Sequence, residues 1–144
     1  MRPVAALLAA LALSAPAARA AVAADPVLAE GLHALETQTN GVQAACLIWY
    51  QDRPRLASEM EARVDALCKD LGAVVGSEVV ATQHLASRDD RTYVVVYFER
   101  HPLWFLFERY VGREGGKDKP GFLPLKVSLQ ADDILPSFIT EFKT

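Results

Sequence analysis

Two strongly apolar runs separated by a short polar break dominate residues 91–111, which read RTYVVVYFERHPLWFLFERYV. β-branched and aromatic residues suit a pleated, half-buried surface, so the runs predict strands at residues 91–98 and 103–111. The break, residues 99–102, has room only for a hairpin loop, and Pro102 restricts one backbone dihedral within it. We therefore expect this hairpin to form the centre of an antiparallel sheet on which the rest of the chain packs.

Both faces of this hairpin are predicted to be largely apolar, because side chains alternate between the faces along each strand. In the first strand, Tyr93, Val95 and Tyr97 oppose Val94, Val96 and Phe98; in the second, Leu103, Phe105 and Phe107 oppose Trp104, Leu106 and Tyr110. One layer of helices covers only one face of a sheet. The other face should line a pocket formed by sheet curvature, be covered by a partner, or be covered by the chain termini.

Further strands are predicted on either side of the hairpin. Residues 78–87 form the first, and residues 122–130 form the last, where apolar and polar residues alternate. Pro124 cannot donate to a strand ladder, which indicates an edge strand or a bulge there. Between them, residues 112–121 (GREGGKDKPG) are predicted to be a flexible charged loop, and they lack the GxxxxGK[ST] phosphate-binding pattern. A helical turn at residues 134–138 is expected to follow the last strand.

The N-terminal half predicts helices. Asp25 is a suitable N-cap and Pro26 a suitable first residue for a helix that ends before the turn Asn40-Gly41. Residues 42–51 lack strand alternation and are predicted to form a second helix. The apolar face of that helix should pack on the sheet.

The clearest helix is predicted at residues 55–71, before Gly72 as a C-terminal stop. One stripe at helical spacing comprises Leu56, Met60, Val64, Leu67, Cys68 and Leu71. The pairs Glu59/Arg63 and Asp65/Lys69 lie on the opposite side, which we expect to be solvated. Helices followed by a four-stranded antiparallel sheet predict the α+β class.

This order of elements resembles the NTF2-like or cystatin-like superfamily, and in particular small exported bacterial domains of that superfamily with no assigned activity. The residues that carry the resemblance are Leu71-Gly72, Gly76-Ser77-Glu78, the apolar strand 93–98, Pro102-Leu103, the aromatic strand 105–110, Phe122 and Asp132-Asp133. The resemblance covers the layout of residues 24–138 and implies a bent sheet wrapped around helices into a cone with a pocket. It implies no enzymatic activity, because the acid and histidine constellation of the superfamily's enzymes does not occur in this sequence.

The N-terminus has the pattern of a secretory signal peptide at residues 1–20: the basic residue Arg2, a short apolar run at 4–13, and the Ala18-Arg19-Ala20 cleavage pattern. Cleavage after Ala23 is the alternative. The run is about half of the roughly 20 residues that span a bilayer, so no membrane anchor is expected after cleavage. The protein is therefore predicted to be exported, periplasmic or secreted, with one α+β domain at residues 21–144.

Charge disfavours a nucleic-acid partner. The full chain has 15 basic and 18 acidic residues, and loss of Arg2 and Arg19 with the signal would leave about 13 basic residues. No cluster of Lys and Arg offers the surface that phosphate neutralisation requires. No cofactor and no metal site are predicted either, since the histidines lack metal-ligand spacing.

Cys46 and Cys68 leave two alternatives open. In an oxidising compartment they could form a disulfide that closes a loop of about 23 residues and adds on the order of 3 kcal/mol to stability. They could equally be buried free thiols that pack as small hydrophobes.

No catalytic residue is predicted: His84 and Glu78 share a strand face but stand roughly 20 Å apart.

Aromatic residues are the best candidates for a binding site of low polarity, and we predict that Trp49, Tyr93, Tyr97, Trp104 and Tyr110 contact a ligand or partner.

Three functions remain open. The first is a non-catalytic exported binding module with an apolar pocket or an aromatic sheet face, which binds a small apolar ligand or a protein. The others are a structural protein that forms homodimers through its sheet face, and a pocket enzyme of the isomerase or dehydratase type.

Overall fold

In the computed structural model, which describes residues 25–137, three helices are followed by a curved antiparallel sheet. The helices are α1 (Pro26–Thr37), α2 (Gly41–Trp49) and α3 (Pro54–Cys68). The strands are β1 (Val74–Ala86), β2 (Asp89–Phe98), β3 (Pro102–Glu114), β4 (Lys117–Phe122) and β5 (Lys126–Ser128), and a 3₁₀ turn, Ala131–Asp133, follows them. The α+β prediction is confirmed. The predicted signal peptide, both cleavage sites and Phe138 lie outside the described residues.

The start of α1 follows the predicted capping chemistry. The Asp25 carboxylate accepts a hydrogen bond from the Val27 amide at 2.8 Å, and Pro26 occupies the first turn. One turn later, Gly31 allows α2 to approach closely, because a Cβ at this position would overlap the indole of Trp49. The Trp49 Nε1 donates to the carbonyl of Leu28 at 3.3 Å, which locks the two helices together.

The apolar stripe of α3 faces the core, as predicted. Met60 and Val64 are fully buried, and Leu56, Leu67 and Cys68 are partly buried against them. The prediction for the opposite side of the helix was incomplete. Arg63 is exposed, but its Nη1 donates to the carbonyl of Leu125 at 2.9 Å, so this side chain also ties α3 to the sheet.

The sheet has the strand order β1-β2-β3-β4, with β5 also paired to β3. All pairs are antiparallel, and the central register aligns Val94 with Phe105. The predicted last strand, residues 122–130, is only partly a strand: Phe122 ends β4, residues 126–128 form β5, and residues 123–125 separate the two. Pro124, which was predicted to lie in an edge strand or a bulge, lies in this interruption, where no ladder requires its missing amide proton.

Residues 112–121 are not the flexible loop that their composition predicted. β3 continues to Glu114, which pairs with Lys117 across a two-residue turn of Gly115 and Gly116. Both glycines have positive φ angles, 59° and 78°, the geometry of the tight hairpin turn that favours the twist of the strands. Gly115 and Gly116, which indicated a loop, are therefore the turn of the β3–β4 hairpin.

The interruption between β4 and β5 is fastened by side chains from the helices. The Tyr50 hydroxyl donates to the carbonyl of Leu123 at 2.9 Å, and the Leu125 amide contacts Met60 Sδ at 3.2 Å. These contacts occupy backbone groups that no neighbouring strand satisfies.

The sheet buries apolar side chains on both faces. The helical face forms the main core, which includes Val94, Val96, Leu103, Phe105 and Phe107. On the other face Tyr93 and Leu106 pack with Ile134 and Leu135, and Trp104 lies partly buried against them. The sequence left three possibilities for this face: a pocket, a partner or a terminal segment. Within residues 25–137 it is covered by the segment after β5.

Cys46 and Cys68 form no disulfide. Cys46 is buried in the core on α2, whereas Cys68 is the last residue of α3, and the two are apart. A disulfide requires the two Cβ atoms to approach within about 4 Å. The structure thus supports the alternative of two thiols that pack as small hydrophobes.

None of the helices within residues 25–137 combines the length and the apolar character needed to cross a bilayer.

Candidate functional site

A cavity of about 380 Å³ opens where the start of α1, the α2–α3 connection and the β3–β4 hairpin meet. Its apolar wall comprises Val27, Trp49, Tyr50, Tyr110, Pro120, Phe122 and Leu123. Its polar wall comprises Asp25, Gln51, Asp52, Arg53, Arg109 and Lys119. Small-molecule sites are typically concave, mostly apolar and fitted with a few polar groups, and this cavity has that composition.

Three of the four aromatic residues of the wall, Trp49, Tyr50 and Phe122, are packed in the core. The ring centroids of Trp49 and Phe107 are 4.8 Å apart in an edge-to-face arrangement, and those of Phe107 and Phe122 are 5.7 Å apart. Such pairs add to the stabilisation that burial provides. The Phe107 ring thus holds Trp49 and Phe122 in place, so this part of the wall is formed without a ligand.

Tyr50 links the cavity wall to the interruption of the sheet. Its ring is buried, and its hydroxyl donates to the carbonyl of Leu123. Burial raises the pKa of Tyr50 above its ordinary value, so the hydroxyl stays protonated and keeps donating even in the alkaline range where an exposed tyrosine ionises.

Arg53 stands at the junction of α2 and α3 and is held from two sides. Its Nη2 donates to the carbonyl of Phe122, and its guanidinium carbon lies 5.4 Å from the centroid of the Tyr50 ring. Gly121 leaves space for it, because a Cβ at Gly121 would stand only 3.2 Å from the Arg53 Nη2. The guanidinium is therefore oriented by the fold.

Arg109 and Asp25, which also line the cavity, form an ion pair. The Arg109 Nε lies 2.9 Å from one carboxylate oxygen of Asp25, and the other oxygen caps α1. Asp25 therefore joins the first helix to β3, and its charge is balanced by Arg109.

Lys119 on β4 forms an ion pair with Glu114, with 2.6 Å between the Nζ and the carboxylate oxygen. This hydrogen bond raises the pKa of Lys119 and lowers the pKa of Glu114. Both groups are consequently charged at neutral pH. Glu114 does not line the cavity, whereas Lys119 does.

Two of the five predicted binding residues lie in the cavity wall. Trp49 is buried and Tyr110 is 47% exposed. Tyr93 and Trp104 belong to the second apolar cluster on the other part of the sheet. Tyr97 is 42% exposed, and its hydroxyl donates to Glu78 at 2.9 Å, away from the cavity.

The cationic wall residues Arg53, Arg109 and Lys119 were not predicted. For Lys119 the sequence did contain a signal, the dipeptide Gly115-Gly116, which is typical of a hairpin turn. A two-residue turn at these glycines places Lys119 opposite Gly112 on β3. For Arg53 we find no such signal, since its neighbour Pro54 indicated only the start of a helix.

Of the histidines in residues 25–137, none lines the cavity. His84 Nδ1 lies 2.5 Å from an Asp90 carboxylate oxygen on the neighbouring strand, and the histidine is exposed. Within residues 25–137, no group of three or more His, Cys, Asp or Glu side chains is placed to hold a metal ion.

Comparison with protein-family models, with curated proteins and with solved structures finds no match for this chain. The NTF2-like or cystatin-like assignment therefore stays a prediction from the resemblance of its elements.

Proposed function

We propose that this protein is an exported, non-catalytic binding module that takes a small ligand with an apolar body into the cavity between α1, the α2–α3 connection and the β3–β4 hairpin. The observation that carries the proposal is the packed aromatic wall of that cavity. Trp49 and Phe122 are oriented by Phe107, while Tyr110 lies half-exposed at the same cavity. A wall that is already ordered lowers the entropic cost of binding.

The size of the cavity supports a small molecule as the occupant. Ligand cavities commonly measure about 300–1,000 Å³, and the observed volume of about 380 Å³ falls at the small end. A compact ring system fits such a volume, whereas a protein segment would need a longer groove.

The two alternative functions have less support. The carboxylate of Asp25 already caps a helix and pairs with Arg109, and the Tyr50 hydroxyl is bonded to a carbonyl, so an acid–base pair for catalysis is not offered by these groups. Homodimerisation through the second sheet face is less favoured because Ile134 and Leu135 pack on that face.

A fluorescent probe tests the proposal. N-phenylnaphthylamine is apolar and uncharged, and its emission rises when it leaves water for an apolar site. We expect the purified protein to bind it saturably, and we expect Tyr110→Ala to weaken binding about fivefold or more because an aromatic wall residue is lost. Tyr110 is half-exposed, so the melting temperature should change little.

Tyr97→Ala is the matched control, since Tyr97 is equally exposed but does not line the cavity. It should bind the probe as the unaltered protein does. Absence of saturable binding, or equal weakening by both substitutions, would refute the cavity as the binding site.

Export is tested separately. N-terminal sequencing of protein recovered from the periplasm or the medium should begin at Ala21, or at Ala24 for the alternative cleavage. Folded protein that retains Met1 would contradict the proposed export.

A further inference from the structure

We infer that the cavity selects a small organic anion, with the apolar body of the ligand against the aromatic wall and its anionic group on the guanidinium of Arg53, assisted by Lys119. This inference rests on the proposed binding function, because it names the chemical class of the ligand that the same cavity would take.

Arg53 has the properties of a preformed anion receptor. One of its nitrogens is anchored to the Phe122 carbonyl and its plane is supported by the Tyr50 ring, so the guanidinium does not need to be ordered by the ligand. Among residues 25–137, no carboxylate forms an ion pair with it within 4.0 Å. Its charge therefore lacks the close partner that Arg109 and Lys119 have.

The other two cations of the wall are already in ion pairs. Arg109 is balanced by Asp25, which also lines the cavity. Lys119 is held by Glu114, which lies outside the lining, and it is close enough to Arg53 and Asp52 for their charges to act on its pKa. The described lining has three cations and two carboxylates, and Glu114 outside the lining pairs with the third cation, Lys119. Arg53 is therefore the cation of the wall that is left without an ion pair, and it is the one that can take an anionic group of a ligand.

The aromatic wall determines the rest of the ligand. The Arg53 guanidinium lies 5.4 Å from the centroid of the Tyr50 ring and donates to the backbone carbonyl of Phe122, and both residues line the cavity, so one compact molecule can contact its charge and the apolar surface. A ligand with a ring and one carboxylate or sulfonate would satisfy both. An inorganic anion would leave the aromatic wall unused, and a neutral ring would leave Arg53 uncompensated.

A matched pair of probes separates this inference from the proposed function. Anilinonaphthalene sulfonate has the same ring skeleton as N-phenylnaphthylamine and adds one anionic group. We expect the sulfonate to bind the purified protein roughly tenfold more tightly than the neutral probe, because charge-assisted hydrogen bonds to a guanidinium are strong. The ratio of the two dissociation constants is the measured quantity.

Substitutions at the cationic wall should lower this ratio, because loss of a positive charge weakens the binding of the sulfonate more than the binding of the neutral probe. Arg53→Gln should reduce the ratio to near one, and Lys119→Gln should reduce it by about threefold, since its charge acts from the rim. Lys117→Gln is the control: it is on the same strand, it is exposed, and it does not line the cavity. It should leave the ratio unchanged.

The outcomes are distinguishable. Equal affinity for both probes in the unaltered protein, or a ratio that neither Arg53→Gln nor Lys119→Gln lowers, overturns the inference while the proposed binding function stands. Absence of binding by either probe overturns both. If Arg53→Gln fails to fold, Lys119→Gln decides: an unchanged ratio in that variant overturns the inference.

Discussion

The guanidinium of Arg63 on α3 donates to the backbone carbonyl of Leu125 over 2.9 Å, so a residue on the charged side of the helix fastens the interruption between β4 and β5. Tyr50 and Arg53 donate to the neighbouring carbonyls of Leu123 and Phe122. Leu123 and Leu125 lie outside the strands, and side chains from α3 and from the α2–α3 connection donate to their carbonyls in place of a strand partner. This set of contacts also shapes the cavity, because Tyr50, Arg53, Phe122 and Leu123 line it.

Arg63→Ala should therefore lower the free energy of unfolding by about 1–2 kcal/mol, toward the low end of the roughly 1.5–3 kcal/mol for hydrogen bonds of charged groups, because Arg63 is exposed. Lys69→Ala, also on the charged side that the sequence predicted for this helix, should change stability by less than about 0.5 kcal/mol. Urea unfolding midpoints measure both. Equal midpoints for the two variants would show that the contact with Leu125 adds nothing to stability.

The β3–β4 turn offers a test in which conformation is separated from packing. Gly116 has a φ of 78° and no atom within 4 Å of an added Cβ, so Gly116→Ala should cost about 1–2 kcal/mol through the left-handed conformation alone. Gly76 has equally open space, and its φ is not in the positive range. Gly76→Ala should be neutral or stabilising by up to about 1 kcal/mol. Thermal denaturation that ranks the two in the opposite order would contradict the assigned turn.

Buried thiol chemistry predicts a loss of stability at alkaline pH. Burial, assisted by the charges of Glu61 and Asp65, raises the pKa of Cys46 from 9.0 to about 12. Because the folded-state pKa is the higher one, the unfolded chain releases this proton first, and stability falls as the pH rises from about 9 to about 12. Urea midpoints measured across this range should decline, and Cys46→Ala should show a shallower decline from a lower starting stability.

The free thiols give an independent check on the same residue. Two thiols per chain should react with a thiol reagent in denaturant, and Cys46 should be protected in the folded protein. A pH dependence that is identical with and without Cys46 would contradict the raised pKa. Recovery of a disulfide from the native protein would contradict the separation of Cys46 and Cys68.

Trp104 should matter for stability and not for binding in the cavity. It packs in the second cluster with Ile134 and Leu135, so Trp104→Ala should cost about 2–3 kcal/mol, somewhat below the value for a fully buried tryptophan. N-phenylnaphthylamine should bind as before. Tyr97→Ala, at an exposed position, should cost less than about 1 kcal/mol.

Calorimetry and probe titration on the same two variants test this assignment. A Trp104→Ala protein that melts at the unaltered temperature but loses probe binding would place the ligand on the second sheet face, and would thereby contradict the cavity as the site.

Local patterns determined much of the fold. The stripe containing Met60 and Val64 predicted which side of α3 is buried, and Asp25-Pro26 predicted the start of α1, since helical spacing and capping depend on neighbours a few residues away. The apolar runs of residues 91–111 likewise predicted the central hairpin. Composition misled where a strand was short and polar: KDKPGF in β4 has neither the alternation nor the β-branched residues of a typical strand.

The candidate site was decided by tertiary structure. Arg53, Arg109 and Lys119 come from the α2–α3 connection, β3 and β4, and nothing in their local sequence states that they share a cavity. Their convergence depends on the register of β3 with β4 and on the helix donors that hold residues 122–125. The same holds for the covering of Tyr93 and Leu106 by Ile134 and Leu135. Periodicity therefore determined which side of each element is apolar, whereas long-range pairing and packing decided which of those sides meet and where a cavity is left between them.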